Sequence, residues 1–459
     1  MPGRFLPLSL AVALLSTLPA AQENKPIGIN VVLKTPITTA ILADLGKYGK
    51  VRDVVPQIKA LTMQAATSSL PVIRALPYVA AANPDAVRKG RPVDTVSAED
   101  FLGGFSTWNL DAINVTVAPF SSARSVAFDG AGVYVAVLDT GLVDSWRQYF
   151  PQERIATQYA VAFGGGGGEV GTVSRQPNKW EHDQNSHGTH VTSTILGYSL
   201  RGTPINGVAP KATVIPVKVL GQAGWGWSSV IARGITYIAD LKSTLGAPVV
   251  INMSLGGSEL DAVEKAAIDY AIGRGVIIVA SAGNEGEDGM GYPGAYAPVI
   301  SVAASGWVGE WQSVVGGRPN RDWWFDQNVA EPTAAADFYI IDFSSRQLAG
   351  QDLDVAAPGS WVVGPFQTNS GQISYYFLGG TSMASPHVAG IVALMLQKNP
   401  ALTAAAAEGI LQSSAIPLPA GCRTVYDPTA GGGTSEFCWS ADATGAGLVA
   451  ADAALAATP

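Results

Sequence analysis

Three short blocks supply, in this order along the chain, an acid, an imidazole and a hydroxyl. They are Val137-Leu138-Asp139-Thr140-Gly141, His187-Gly188-Thr189-His190 and Gly380-Thr381-Ser382-Met383-Ala384-Ser385-Pro386. A serine hydroxyl is almost never ionised near neutral pH, so it attacks an acyl carbon only when a neighbouring base takes its proton. An imidazole can take it, and a carboxylate can hold that imidazole in the right tautomer and stabilise the imidazolium. Asp139, His187 and Ser382 are thus candidates for base-assisted attack on an acyl group. The histidines also admit a rival chemistry. His182, Asp183, His187 and His190 are zinc-competent and close in sequence, although no His-Glu-x-x-His element is present.

Taken together with their glycines, the three blocks resemble those of subtilisin-like serine proteases, from about Trp108 to the C-terminus. The order acid, imidazole, hydroxyl differs from the trypsin-like and α/β-hydrolase orders. The resemblance implies a serine endopeptidase in which Ser382 attacks, His187 is the general base and Asp139 orients it. It assigns Asn284, in Ser281-Ala282-Gly283-Asn284-Glu285-Gly286, as an oxyanion donor beside the Ser382 N–H. It implies that Gly224-Trp225-Gly226 and Ser254-Leu255-Gly256-Gly257 hold a peptide as an added strand, so that recognition falls mainly on the substrate main chain. Gly291 matches the base of the main side-chain pocket, where a glycine leaves room for a large apolar or aromatic residue, with Glu285 at the rim. Catalysis then needs no cofactor. Calcium is common in the family, but the loop carboxylates Asp144, Glu287 and Asp288 make no complete ligand set, so any metal site stays unplaced. Two other readings are a peptide-binding homologue with a silent site and a zinc hydrolase using His182, His187 and His190.

The elements that must hold these groups alternate strand and helix, which predicts an α/β fold with a mostly parallel central sheet and helices on both faces. Val133–Leu138, Val214–Leu220, Val249–Ser254 and Val276–Ala280 are continuous apolar runs, as buried parallel strands are. His187–Leu196, Ser228–Leu245, Leu260–Gly273 and Ala384–Lys398 read as helices. Asp139, Ser254 and Asn284 fall just past strand ends, where ligands of such sheets bind. Gly164–Gly168 reads as a surface loop. Residues 307–341 read as an insertion whose Trp307, Trp311, Trp323 and Trp324 either pack it onto the body or grip a partner.

Ahead of this body, Met1–Ala21 has the charge, apolar run and small residues of a secretory signal, which implies a secreted protein without stable membrane insertion. Residues 22–95 resemble the inhibitory propeptide of subtilases, a small ferredoxin-like α+β unit. Within it Met63–Leu70 reads as helix and Val72–Val79 as strand. Residues 96–107 fall in a Pro/Gly/Asp/Ser-rich linker, beginning near Asn83, that suits processing. The peptidase domain then spans 108–459. A net charge of −8 leaves no nucleic-acid footprint. The expected partners are protein or peptide substrates and the chain's own propeptide, and a monomer is expected. The two cysteines, Cys422 and Cys438, would pair in an oxidising compartment, the alternative being two free thiols.

Overall fold

Tyr134–Asp139 lies at the heart of a sheet because both of its faces are apolar. Val135 and Val137 join one buried cluster while Ala136 and Leu138 join another. In the computed structural model, which describes residues 25–90, 95–97, 106–117, 123–327, 329–431 and 433–459, this strand pairs in parallel with Thr213–Lys218 and Val249–Met253. The parallel register continues through Ile277–Ser281, Ile300–Trp307 and Val355–Pro358 on one side and Val161–Gly166 on the other. Phe338–Ile340 and Glu169–Ser174 add antiparallel strands at the two edges. Helices His187–Leu196 and Thr381–Lys398 bury Val191, Ile195, Val388 and Ile391 with Val135 and Val137. Ser228–Leu245 and Ala262–Gly273 bury Ile231, Ile235, Ile238 and Ile268 with Ala136 and Leu138. The fold is therefore α/β with helices on both faces, as expected. Among the described residues no helix is long and apolar enough to cross a membrane.

Pro26–Pro84 forms a separate antiparallel sheet, in the order Gly49–Val55, Ala60–Ala66, Pro26–Leu33, Val79–Pro84, with helices Thr39–Leu45 and Leu70–Arg74. This is the ferredoxin-like arrangement. Its own core of Ile29, Val31, Leu45, Leu61, Met63 and Ile73 is distinct from those of the body. Two element expectations fail here. Ala60–Ala66 is a strand, although Ala, Met and Gln favour helix, because it pairs on both sides and buries Leu61 and Met63. The helix starts later, at Leu70–Arg74, with Pro71 near its N-terminus where a missing N–H costs nothing, and that displaces the last strand to Val79–Pro84.

Two further expectations are corrected. Gly164–Gly166 end the strand Val161–Gly166 and Gly167–Gly168 turn it into Glu169–Ser174, a hairpin at the sheet edge rather than a loose loop. A side chain at Gly166 or Gly167 would collide with Trp227, and one at Gly28 would collide with Gly167. The first part of the expected linker, Val87–Lys89, is a strand paired with Trp225–Trp227, and Thr95–Ser97 pairs with Tyr375–Leu378. The expected signal segment 1–21 and linker residues 98–105 lie outside the described residues. The insertion tryptophans are buried: Trp307, Trp311 and Trp323 pack with Trp108, Trp361 and Phe377. They build core, and the gripping alternative falls. Cys422 and Cys438 face each other across the hairpin Gly421–Asp427/Gly433–Trp439 and form a disulfide.

Candidate active site

Asp139 is the last residue of the central strand, and the helix bearing His187 starts directly above it. The approach is close because both glycines allow it. A Cβ on Gly188 would stand 2.5 Å from the Gly141 carbonyl oxygen and 3.1 Å from Asp139 Cβ. His187 Nδ1 lies 2.8 and 3.0 Å from the two Asp139 oxygens. Asp139 Oδ1 also accepts the Thr140 N–H at 2.7 Å, so this buried carboxylate is fully engaged. Burial pushes the imidazole down, but the charge and hydrogen bond of Asp139, helped by the charge of Asp183, outweigh it and hold His187 above its ordinary value of 6.5. His187 Nε2 has no hydrogen-bond partner. It is the atom left available for a proton.

Ser382 sits in the first turn of Thr381–Lys398, where backbone N–H groups have no carbonyl a turn below and the helix dipole is positive. Pro386 lacks the N–H that would bond the Ser382 carbonyl, and the Ser254 hydroxyl donates to that carbonyl instead, at 2.8 Å. The Ser382 hydroxyl itself donates to the Ser254 carbonyl at 3.3 Å. It makes no hydrogen bond to His187 Nε2.

Asn284 is fixed by Thr381, whose N–H and hydroxyl both reach Asn284 Oδ1 at 2.9 Å. That leaves Nδ2 free, and both it and the Ser382 N–H lie near Gly380. A Cβ built on Gly380 would be 3.6 Å from Ser382 N and 3.7 Å from Asn284 Nδ2. Gly380 has φ 153°, which an L side chain resists, so the space between these donors stays open. Two N–H donors close to one point can stabilise an oxyanion.

The segment leading out of the small unit occupies the adjoining channel. Trp225, Gly226 and Trp227 pair antiparallel with Lys89, Arg88 and Val87, and Lys89 exchanges backbone hydrogen bonds with Gly256 at 2.8 and 3.0 Å. The Gly90 N–H donates to the Gly224 carbonyl at 2.9 Å, and a Cβ on Gly90 would stand 3.4 Å from His187 Cε1. Gly224, Trp225, Gly226 and Gly256 therefore hold an extended chain. Gly257 instead exchanges bonds with Tyr292, and Leu255 points into the core. Gly291 packs against Gly256 and Gly257, and together with Glu285 they line one cavity. Glu285 Oε2 accepts the Asn284 N–H at 2.6 Å, which ties that carboxylate to the Asn284 loop.

The other histidines are otherwise engaged. His387 donates from Nδ1 to the Met383 carbonyl and accepts from Asn109 at Nε2, both at 2.8 Å, and burial brings it down to about 4. Burial also lowers His190 to about 3, with its Nε2 3.2 Å from the Val362 carbonyl. His182 faces Asp144 at the surface. The three imidazoles of the zinc alternative thus serve three separate environments. Asp144, Glu287 and Asp288 do not gather. Among the described residues the carboxylates that do are Asp352, Asp354 and Glu408, which no sequence spacing signalled. Sequence reasoning also missed the Asn252–Ser254–Ser385 hydrogen-bond set beneath Ser382.

Residues 130–445 match the Subtilase family. The chain is 34% identical over 299 residues to subtilisin DY of Bacillus licheniformis, covering 64% of this chain and 88% of that one. Thermitase of Thermoactinomyces vulgaris is 33% identical over 271 residues, covering 55% of this chain and 82% of thermitase. Among solved structures, fervidolysin from Fervidobacterium pennivorans, a keratinolytic enzyme related to subtilisin, covers 96% of this chain at 25% identity and TM-score 0.63, and the match spans 62% of fervidolysin. The chain belongs to the subtilase family and is a serine endopeptidase.

Proposed function

We infer that this is a secreted endopeptidase made with a removable leader, and that Ser382, His187 and Asp139 carry its chemistry. In this reading the Ser382 hydroxyl attacks the scissile carbonyl while His187 Nε2 takes its proton. His187 later returns that proton to the leaving amine, and water hydrolyses the acyl-enzyme by the same route. Asp139 holds the imidazole and stabilises its charged form. The Ser382 N–H and Asn284 Nδ2 receive the oxyanion. Every group in this sequence is a protein group, so no cofactor is required, and calcium would serve stability alone. The observations that carry the reading are the buried Asp139–His187 pair and the nearness of both Ser382 N and Asn284 Nδ2 to Gly380.

The substrate is a polypeptide held between Trp225–Trp227 and Gly256. The main-chain pairing of Lys89 supports broad specificity, and Gly291 supports a large apolar or aromatic side chain before the cut bond. Residues 22–95 are the inhibitory propeptide in this reading: Pro26–Pro84 folds on its own core, and Gly90 lies against His187. Met1–Ala21 directs export, and the processed enzyme acts as a monomer. The test is a fluorophosphonate probe combined with a panel of peptides varied at the residue before the cut bond. One label per molecule, abolished in Ser382→Ala, and fastest cleavage after Phe, Tyr or Leu are expected. A folded, leader-free protein that neither labels nor cleaves would overturn the reading.

A further inference from the structure

The leader strand in the channel carries a side chain that its backbone pairing does not explain. Arg88, two residues before the Gly90 that lies against His187, turns inward rather than to solvent. Its side chain and that of Glu264 are both fully buried. Arg88 Nε and Nη2 donate to Glu264 Oε2 at 2.9 and 2.6 Å, and Nη2 also donates to the Glu259 carbonyl at 2.6 Å. Nη1 returns to the Val87 carbonyl of its own strand. Glu264 belongs to the peptidase body, in the first turn of Ala262–Gly273, and among the described residues Arg88 is its one ion-pair partner. Glu264 Oε1 has no hydrogen-bond partner at all. Nearby Asp261 and Asp85 add negative charge rather than relieving it.

With this segment seated the carboxylate is fully buried and needs a counter-charge, and among the described residues the body supplies none. The counter-charge comes from the extended chain lying in the cleft. A planar guanidinium meets the geometry, giving two N–H groups to one carboxylate oxygen and one to a carbonyl, where an ammonium offers a single point.

We propose that this protease selects arginine at the substrate residue that takes the register position of Arg88, and that Glu264 is the residue that determines the preference. This rests on the reading above, in which a substrate occupies the channel that the leader fills.

The test uses processed enzyme secreted from the full-length gene and quenched peptides that differ only in carrying Arg, Lys, Gln or Glu at each position before the cut bond. Cut sites are read by mass spectrometry. At one position, three or four residues before the bond, kcat/KM for Arg exceeds that for Gln by roughly tenfold or more, with Lys between and Glu poorest. In Glu264→Gln the Arg-to-Gln ratio at that position falls toward one. Cleavage with Arg and Gln equal at every position in the unmodified enzyme would overturn the proposal while leaving the protease reading intact. Failure to cleave any peptide or to take a fluorophosphonate label would overturn both. The peptide series on unmodified enzyme decides the matter even where Glu264→Gln fails to fold.

Discussion

Asn284 illustrates how much of this site depends on single atoms. Its Oδ1 is held by Thr381, so removing the amide deletes the side-chain donor that the proposed mechanism gives to the oxyanion. Asn284→Ala is expected to lower kcat by about 100- to 1,000-fold with KM little changed, the magnitude known for the equivalent donor of the related enzyme subtilisin. A loss confined to KM would contradict the assignment. His187 gives a prediction in pH. In the proposed mechanism it is the base and works only when neutral, and Asp139 holds its pKa above the ordinary value, so kcat/KM should rise with pH through that elevated value. Asp139→Asn removes the raising influence while burial still lowers the group. The acid limb of the profile should therefore move to lower pH, together with a large fall in rate. An unmoved limb would mean that Asp139 does not set the titration. At this scale the sequence was most legible, because Asp139, His187, Ser382 and Asn284 each sit inside a short motif with glycines that permit close approach. Glu264 was not legible. Its neighbours in sequence read as ordinary helix, and only a strand far away in the chain, bearing Arg88, gives its carboxylate a role.

Helices and strands were legible in proportion to how far their own residues decide them. Ser228–Leu245 and His187–Leu196 lie where their apolar spacing and flanking glycines put them. Ala60–Ala66 does not, since partners on both sides make it a strand, and no local pattern records those partners. The tryptophan-rich insertion poses a related problem. Its aromatic residues read equally well as gripping or as packing, and only burial decides. Within that insertion Glu310 is buried and accepts from the Trp307 N–H, the Tyr339 hydroxyl and the Ser360 hydroxyl, and burial pushes it up to about 8. A carboxyl raised from 4.5 in the unfolded chain to about 8 in the fold favours the folded state fully below pH 4.5, and this advantage is lost as pH climbs through 8. Glu310→Gln keeps the shape and stays neutral. Its Tm relative to the parent should therefore increase between about pH 5 and pH 9, as followed by calorimetry. A Tm difference constant across that range would show that Glu310 is not held protonated.

Across the whole molecule the small Pro26–Pro84 unit and the body are joined through helix ends as well as through the cleft. Asp85 accepts from the Ser229 N–H and from the Ser228 and Ser229 hydroxyls, capping Ser228–Leu245 from outside. Asp261 caps Ala262–Gly273 and accepts Asn30 and Asn83 from the leader, each at 2.7 Å. In a Ser382→Ala background, Asp85→Ala should expose residues 25–90 to an added protease several-fold faster, since a lost cap costs about 0.5–2 kcal/mol. An unchanged rate would remove Asp85 from the docking account. The most direct measurement is the intact mass of secreted protein, wild type against Ser382→Ala, each with and without a fluorophosphonate probe. The account predicts that wild type has lost its leader and gains one label, while Ser382→Ala keeps the leader and gains none. Ser382→Ala protein that matures to the same mass without another protease present, or folded wild type that takes no label, would contradict it.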